Sequence, residues 1–174
     1  MATLKILETS EELPIELTEI KQFLKIDYEE EDSIIVRSFR TALRQCELLI
    51  GCTIVEKKYQ YSFYNGICET VKLVYGPVEN IELVKMIRKD NTEITINESN
   101  YFLDNTADKI VFRNKPDNFY RLDIIYISKL VSISDDLKQA ILFHTTKIFE
   151  DKTGYSPMPK ASYNIYKKYK TKRL

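Results

Sequence analysis

Apolar residues recur at helical spacing through residues 32–51, the one long uninterrupted helical pattern in the first half of the chain. The buried stripe that this spacing predicts consists of Ile35, Phe39, Ala42, Cys46 and Leu49. Asp32 or Ser33 can cap its start, and Gly51 stands where a left-handed residue often ends a helix. A second apolar set widens the stripe beyond what one neighbouring helix would cover. We therefore expect this helix to meet several elements of the fold or a neighbouring copy of the chain.

The same helical pattern places basic residues outside the buried stripe. Arg37, Arg40 and Arg44 all fall there, so the long helix has one apolar side and one basic face. An acidic connector, residues 27–32, precedes it and lies where the helix dipole favours negative charge. A calcium-binding loop is the alternative reading of this connector, but its sixth position is Asp32 instead of glycine and its twelfth is Ser38 instead of glutamate.

Two or three further helices are indicated. A short helix that Thr18 can cap is expected after Pro14, with Ile20, Phe23 and Leu24 on its apolar side. Helical spacing returns after Ser134, a good N-cap, and ends near Gly154. The apolar side of this later helix consists of Leu137, Ala140, Ile141, His144, Ile148 and Phe149. Two prolines then interrupt the chain, and residues 161–169 can form a last short helix.

Between the helices the period changes to two, which is typical of half-exposed strands. The alternation begins at Val55, and Asn65-Gly66 predicts a hairpin turn with a returning strand at 70–75. Five more short strands are expected at 81–88, 93–96, 101–103, 110–112 and 121–127. The fold class that follows is α+β: a small helical bundle of two N-terminal and one or two C-terminal helices, with an inserted antiparallel β unit. We expect a single domain over 1–174, with the helical part at 14–51 and 134–170, the β insertion at 53–127 and a basic tail at 155–174.

The net charge of the chain is zero, with 26 basic and 26 acidic residues, which argues against an electrostatic binder of naked nucleic acid. The charge is nonetheless uneven. Residues 1–32 hold ten acids and three bases, whereas residues 160–174 hold six bases and no acid. Such opposite ends suit contacts with different partners or between copies, and two solvated termini are the alternative.

The sequence offers no catalytic, cofactor-binding or metal-binding constellation. His144 is the single histidine, it falls on an apolar stripe, and no Gly-x-Ser-x-Gly elbow accompanies it, so a structural role is expected. The four glycines are too dispersed to cradle phosphate. The three cysteines fit no metal spacing and are expected to be reduced, mostly buried thiols. Neither a signal peptide nor a membrane-spanning run is visible, which favours a cytosolic chain.

Four stretches in order along the chain resemble the phage head-to-tail connector family, also called head completion or adaptor proteins, including the adaptors of gene transfer agents. The first, LPIELTEIKQFLKIDYEEEDSIIVRSFRTALRQCELLIG, is similar to the family's short helix, acidic linker and long helix. The second, VKLVYGPVENIELVKMI, resembles its strand, Gly-Pro-Val turn and strand, and YFLDNTADKIVF resembles the strand pair that follows. The last, DLKQAILFHTTKIFEDKTG with MPKASYNIYKKYKTKRL, resembles its closing helix and basic tail, although this tail is unusually rich in Lys and Tyr.

The resemblance implies a structural subunit of the virion neck that is made in the host cytoplasm. Such subunits form a ring of about twelve copies beneath the portal protein. The ring extends the channel for double-stranded DNA, which passes non-specifically, and presents a platform for the stopper or tail-completion protein. No cofactor, catalytic activity or membrane contact is implied.

Two sets of residues are the candidates for these contacts. Arg37, Arg40 and Arg44 would face the channel or a neighbouring subunit. The tail would be poorly ordered in the free subunit and would dock on the portal through aromatic anchors and basic side chains. The docking candidates are Tyr163, Ile165, Tyr166, Lys167, Lys168, Tyr169, Lys170, Lys172 and Arg173. The alternative is that the tail tyrosines pack on the subunit's own helices.

Two other classes of protein stay open at this point. A small module that binds nucleic acid non-specifically would use the same three arginines and the tail, and its binding to duplex DNA would be tight and sensitive to salt. An enzyme of unknown type would need a cleft that the sequence does not reveal.

Overall fold

The structure, a computed structural model, describes residues 1–64, 66–106, 108–130, 132–151 and 157–170. These residues form an α+β fold in which every strand pairing is antiparallel, as the sequence predicts. The chain divides into two compact units. The β unit combines Met1–Glu11 with Val55–Leu130, and the helical unit combines Glu12–Ile54 with Val131–Leu174.

The strands of the β unit are β1 (Ala2–Thr9), β2 (Lys57–Tyr64), β3 (Thr70–Lys72), β4 (Val78–Ile87), β5 (Glu93–Thr95), β6 (Tyr101–Asp104), β7 (Lys109–Phe112) and β8 (Arg121–Ser128). In the described residues these strands form two sheets. The larger sheet has the strand order β1-β2-β8-β4-β5, and the smaller sheet has the order β3-β7-β6. A 3-10 turn, Glu98–Asn100, precedes β6.

The predicted hairpin at Asn65-Gly66 is wrong. β2 pairs with β1 on one side and β8 on the other, so no edge of β2 is left for the strand that follows it along the chain. That strand, β3, instead joins the smaller sheet by pairing with β7. Asn65 itself lies outside the described residues. The strand that pairs with β2 in place of the hairpin strand is β1, whereas the polar residues 1–13 are expected from the sequence only to be extended or loosely ordered.

The core of the β unit lies between its two sheets. The buried residues of β8 on this side are Leu122, Ile124 and Tyr126, and they alternate with residues that point to the other face. The smaller sheet contributes Ile110 and Phe112 to the same cluster. Tyr126 is fully buried, and its hydroxyl donates a 2.7 Å hydrogen bond to the main-chain oxygen of Val74. Burial raises the pKa of this phenol, so the hydroxyl stays protonated.

The turn at Gly76-Pro77, which contains a cis peptide bond, is fixed from several sides. Asp108 accepts a 2.7 Å hydrogen bond from the main-chain N–H of Val78. The hydroxyl of Ser128 donates a 2.8 Å hydrogen bond to the oxygen of Pro77. A side chain at residue 76 would overlap the Asp108 carboxylate, so this position requires glycine for space.

The described residues of the helical unit form four helices: α1 (Leu17–Leu24), α2 (Asp32–Ile50), α3 (Asp135–Glu150) and α4 (Lys160–Tyr169). The expectation that Thr18 caps α1 is wrong, because the N-cap position is occupied by Glu16. α2 ends at Gly51 in the left-handed conformation, with φ of 76°, as predicted. Ser134 caps α3 by accepting a hydrogen bond from the N–H of Leu137, also as predicted. α3 ends at Glu150, and the expected end near Gly154 lies outside the described residues.

The start of α2 differs from the expectation of a side-chain cap at Asp32 or Ser33. Glu31 occupies the N-cap position, and its side chain makes no capping hydrogen bond. Asp32 instead forms a 2.7 Å ion pair with Lys21, which ties α1 to the beginning of α2. A second ion pair, between Lys138 and Glu19 at 2.6 Å, ties α1 to α3.

Candidate functional site: the outward face of the long helix and the terminal helix

The buried side of α2 faces the core of the helical unit, and its outward side forms an open groove. Ile35, Phe39, Ala42 and Cys46 are fully buried, as the hydrophobic stripe predicts. The groove runs along the opposite side. The residues that line it are Ser33, Val36, Arg37, Arg40, Thr41, Arg44, Gln45 and Leu48.

All three arginines identified from the sequence lie in this groove and are exposed. Their spacing of three and four residues places them on one stripe, because residues so spaced are neighbours on a helix surface. Leu48, which is not among the residues identified from the sequence, continues the same stripe and is 57 % exposed. Extending the helical spacing from Arg44 by four residues would have found it. The groove is thus basic along its length and apolar at its C-terminal end.

An exposed acidic segment, residues 27–31, stands immediately before α2 in the same unit. Asp27, Glu29 and Glu30 are exposed, and Glu31 is half-buried. Tyr28 is 47 % exposed, and its hydroxyl donates a 3.0 Å hydrogen bond to Glu31. This hydrogen bond, together with the surrounding carboxylates, raises the pKa of Tyr28. The segment therefore presents several carboxylates and one large aromatic ring to solvent.

In the described part of the tail, residues 157–170, the helix α4 (Lys160–Tyr169) packs on the unit's own core. Tyr166 is fully buried, and its hydroxyl donates a 3.2 Å hydrogen bond to the main-chain oxygen of Ala140 on α3. Ser162, also fully buried, donates a 2.8 Å hydrogen bond to the same oxygen. These residues are not poorly ordered, contrary to the expectation, because the buried hydroxyls of Ser162 and Tyr166 both donate to a main-chain oxygen of α3. Tyr166 holds α4 in place and is not available to a partner.

The other docking candidates on α4 are more accessible. Tyr163 is 43 % exposed, and Lys167, Lys168 and Lys170 are exposed. Ile165 and Tyr169 are half-buried, and the hydroxyl of Tyr169 lies 2.7 Å from that of Ser134. Lys172 and Arg173 lie outside the described residues. The outward surface of α4 is thus basic with one prominent aromatic ring.

His144 is structural, as expected from its apolar stripe. It is fully buried, and Nδ1 lies 3.4 Å from the hydroxyl of Tyr166. Burial lowers the pKa of His144 to about 4, because desolvation penalises the charged imidazolium. Burial likewise raises the pKa of the Cys46 thiol, which is therefore a poor nucleophile. Neither group has the exposure that a catalytic base or nucleophile needs.

The described residues contain no group of three or more His, Cys, Asp or Glu side chains that could hold a metal ion. Cys46, Cys52 and Cys68 form no disulfide, as expected, but the expectation that they are mostly buried is wrong: Cys46 is buried, Cys52 is half-buried and Cys68 is exposed. Within the part of the chain that the structure covers, no helix combines the length and the apolar character that a membrane crossing requires.

Comparison with solved structures identifies the class of fold. The whole chain has the fold of proteins from the necks and virions of gene transfer agent particles, and this confirms the resemblance seen in the sequence at the level of the fold. No protein-family model matches the chain, and no curated protein matches it significantly.

Three of these structures are similar over nearly the full length. A chain in the neck of an empty gene transfer agent particle, computed with C6 symmetry, has a TM-score of 0.79 and 14 % identity, covering 99 % of this chain and 97 % of that one. A chain in the virion of the native particle has a TM-score of 0.80 and 15 % identity, with coverage of 98 % and 96 %. A chain in the native neck, computed with C12 symmetry, has a TM-score of 0.77 and 14 % identity, with coverage of 99 % and 97 %.

Proposed function

We propose that this protein is a structural subunit of the neck of a tailed phage or gene transfer agent particle. Several copies form a ring that joins the head to the tail and continues the DNA channel. The observation that carries the proposal is the match of the entire fold, in both units, to neck proteins of gene transfer agent particles. A match over nearly all of both chains favours a shared role over a borrowed domain.

The chemistry of the chain supports a structural role. Its one histidine is buried with a lowered pKa, its buried thiol has a raised pKa, and the described residues hold no metal cluster. What the chain exposes to solvent is three surfaces that a partner protein can contact: the basic groove of α2, the acidic segment and the outward side of α4. A subunit that works by contact needs such surfaces and does not need a reactive centre.

A ring of about twelve copies is the assembly that we propose, since the neck structures with this fold were computed with sixfold and twelvefold symmetry. A head-to-tail ring needs two different patches on each copy that fit each other. Arg37, Arg40 and Arg44 would form part of such a contact or face the channel. The zero net charge of the chain suits a channel along which DNA must slide.

The further partners in this proposal are the portal protein above the ring and a stopper or tail-completion protein below it. The outward side of α4 is the candidate portal contact. Tyr163 offers an exposed aromatic anchor, and Lys167, Lys168 and Lys170 would steer it toward an acidic portal surface. Tyr166 is left out of this contact because it is buried.

Deleting the gene in the cells that produce the particle tests this role. A neck subunit is needed only after the head is built, so the deletion should leave DNA-filled or emptied heads and separate tails, with few joined particles. Expression of the full-length chain should restore joined particles. Normal yields of joined particles from the deletion would contradict the proposal.

A further inference from the structure

We propose that the groove on α2 receives the acidic segment, residues 27–31, of the neighbouring copy, and that this contact closes the ring. The inference rests on the proposed function and specifies which surfaces meet. Both surfaces belong to the helical unit, so each copy carries a basic groove and an acidic segment on one body.

The charges of the two surfaces are complementary. Three arginines line the groove, and no acidic residue is among its lining side chains. The segment carries Asp27, Glu29, Glu30 and Glu31 within five consecutive residues. Arginine pairs with carboxylates through two parallel hydrogen bonds, which gives such a contact direction as well as attraction.

The apolar parts of the two surfaces also correspond. Leu48, at one end of the groove, is 57 % exposed, and Tyr28, within the segment, is 47 % exposed. An aromatic ring can cover an exposed leucine and can stack on a guanidinium group at the same time. An exposed leucine side chain adds nothing to the binding of DNA phosphates, whereas a protein partner can bury it. The pairing of charge with apolar area favours a protein partner.

A copy cannot fill its own groove in this way. Glu31 is the N-cap of α2, and Arg44 lies thirteen residues further along the helix, a rise of about 20 Å. The segment at the start of the helix therefore stays far from the basic and apolar end of its own groove. A second copy has to supply it. Because the two patches differ, the contact is head-to-tail, which is the kind that closes a ring.

A charge exchange tests the pairing in the assembled particle. Arg37→Glu with Arg44→Glu should reduce incorporation of the chain into necks at least tenfold, and Glu29→Lys with Glu30→Lys should do the same. Arg40 is left unchanged because it already has an interaction within the chain. All four substitutions in one chain should restore incorporation, since each contact then joins the exchanged charges. The matched control is Lys89→Glu with Lys115→Glu, two exposed lysines of the β unit, which should incorporate normally.

The charge exchange also distinguishes a neighbouring copy of the chain from DNA or the portal protein as the occupant of the groove. DNA phosphates and the portal protein keep their charges in the fourfold variant, so a groove that binds either would stay impaired, and that result would overturn the pairing. Normal incorporation of the Arg37→Glu, Arg44→Glu variant would overturn it as well. If the wild-type chain is absent from the neck, the proposed function fails first, and the pairing fails with it.

Disulfide trapping gives a second measurement. In a chain with the exposed Cys68 changed to Ser, Glu30→Cys and Gln45→Cys place one thiol in the segment and one in the groove. Oxidised particles should give a ladder of dimers, trimers and larger species, because each head-to-tail contact links a different pair of copies. The parent chain and each single variant should give no ladder. A single variant that dimerises with itself, or a double variant that gives no cross-link within assembled necks, would overturn the proposal.

Discussion

The hydroxyl of Tyr166 lies 3.4 Å from Nδ1 of His144, and it donates a hydrogen bond to the main-chain oxygen of Ala140. Both side chains are fully buried in the helical unit. One hydroxyl therefore meets α3 at two points, one turn apart on the helix. This contact fixes the terminal helix α4, and it places a titratable imidazole where water does not reach.

Acid should destabilise the protein through His144. Its pKa is about 4 in the folded chain, against 6.5 as the ordinary value, so between these pH values the unfolded chain binds a proton that the folded chain does not. The contribution to stability is present above pH 6.5 and is lost as the pH falls toward 4, by about 3 kcal/mol in total. Urea unfolding from pH 7.5 to 4 measures it. Glutamine does not titrate, so the free energy of unfolding of His144→Gln should change by about 3 kcal/mol less over this pH range. An equal pH dependence in the variant would contradict the lowered pKa of His144.

The burial of Tyr166 predicts a graded response to substitution. Tyr166→Phe removes the hydroxyl but keeps the ring, and Ser162 still satisfies the oxygen of Ala140, so we expect a loss of about 1 kcal/mol in the free energy of unfolding. Tyr166→Ala leaves a cavity and should cost about 3 to 5 kcal/mol. Tyr163→Ala, on the exposed side of the same helix, is the matched control and should cost less than about 1 kcal/mol. Equal losses for the two alanine variants would show that α4 is not packed as described.

Gly76 and Asp108 should behave as a coupled pair. Gly76→Ala adds a methyl group against the Asp108 carboxylate and should cost about 1 to 3 kcal/mol. Asp108→Ala removes the acceptor of the Val78 N–H and should cost a similar amount. In the double variant the overlap is gone, so the combined loss should be smaller than the sum of the single losses. Simple additivity in chemical denaturation would argue against the close approach.

The outward side of α4 can be tested without disturbing its buried side. Tyr163→Ala with Lys167→Glu and Lys168→Glu changes only exposed residues, although both lysines lie in the last turn of α4. The free energy of unfolding should therefore fall by no more than about 2 kcal/mol, less than the loss expected for Tyr166→Ala. If this surface docks on the portal, the variant should no longer co-purify with portal-containing capsids. If the variant still co-purifies with the capsids at low salt, the outward side of α4 does not form the portal contact. Truncation before α4 is a poorer experiment, because the loss of Tyr166 would weaken folding as well.

The sequence predicts most of the helical unit because its signals are local. The stripe of α2, its end at Gly51 and the Ser134 cap depend on neighbours a few residues away. Pairing between distant strands is not local. The sequence gives no sign that β1 takes an edge of β2, and the signal at Asn65-Gly66 was therefore misleading. A turn signal shows that the chain can reverse, and the free edges of the sheet decide where the next strand pairs.

The same distinction between local and distant information applies to the candidate surfaces. The exposed stripe of arginines is readable from helical spacing, and Leu48 could have been added to it by the same rule. The burial of Tyr166 could not be read in this way, because Tyr163 and Tyr166 are equally plausible anchors on a short helix. The position of α3 decides between them: Tyr166 faces the oxygen of Ala140, and Tyr163 faces solvent.

Electron cryo-microscopy of the neck of the intact particle would show the ring and its contacts together. We expect a closed ring of about twelve copies of this chain between head and tail, each copy presenting its α2 groove to the acidic segment of the next. A single copy on the outside of the capsid, or copies confined to the tail tube, would contradict it.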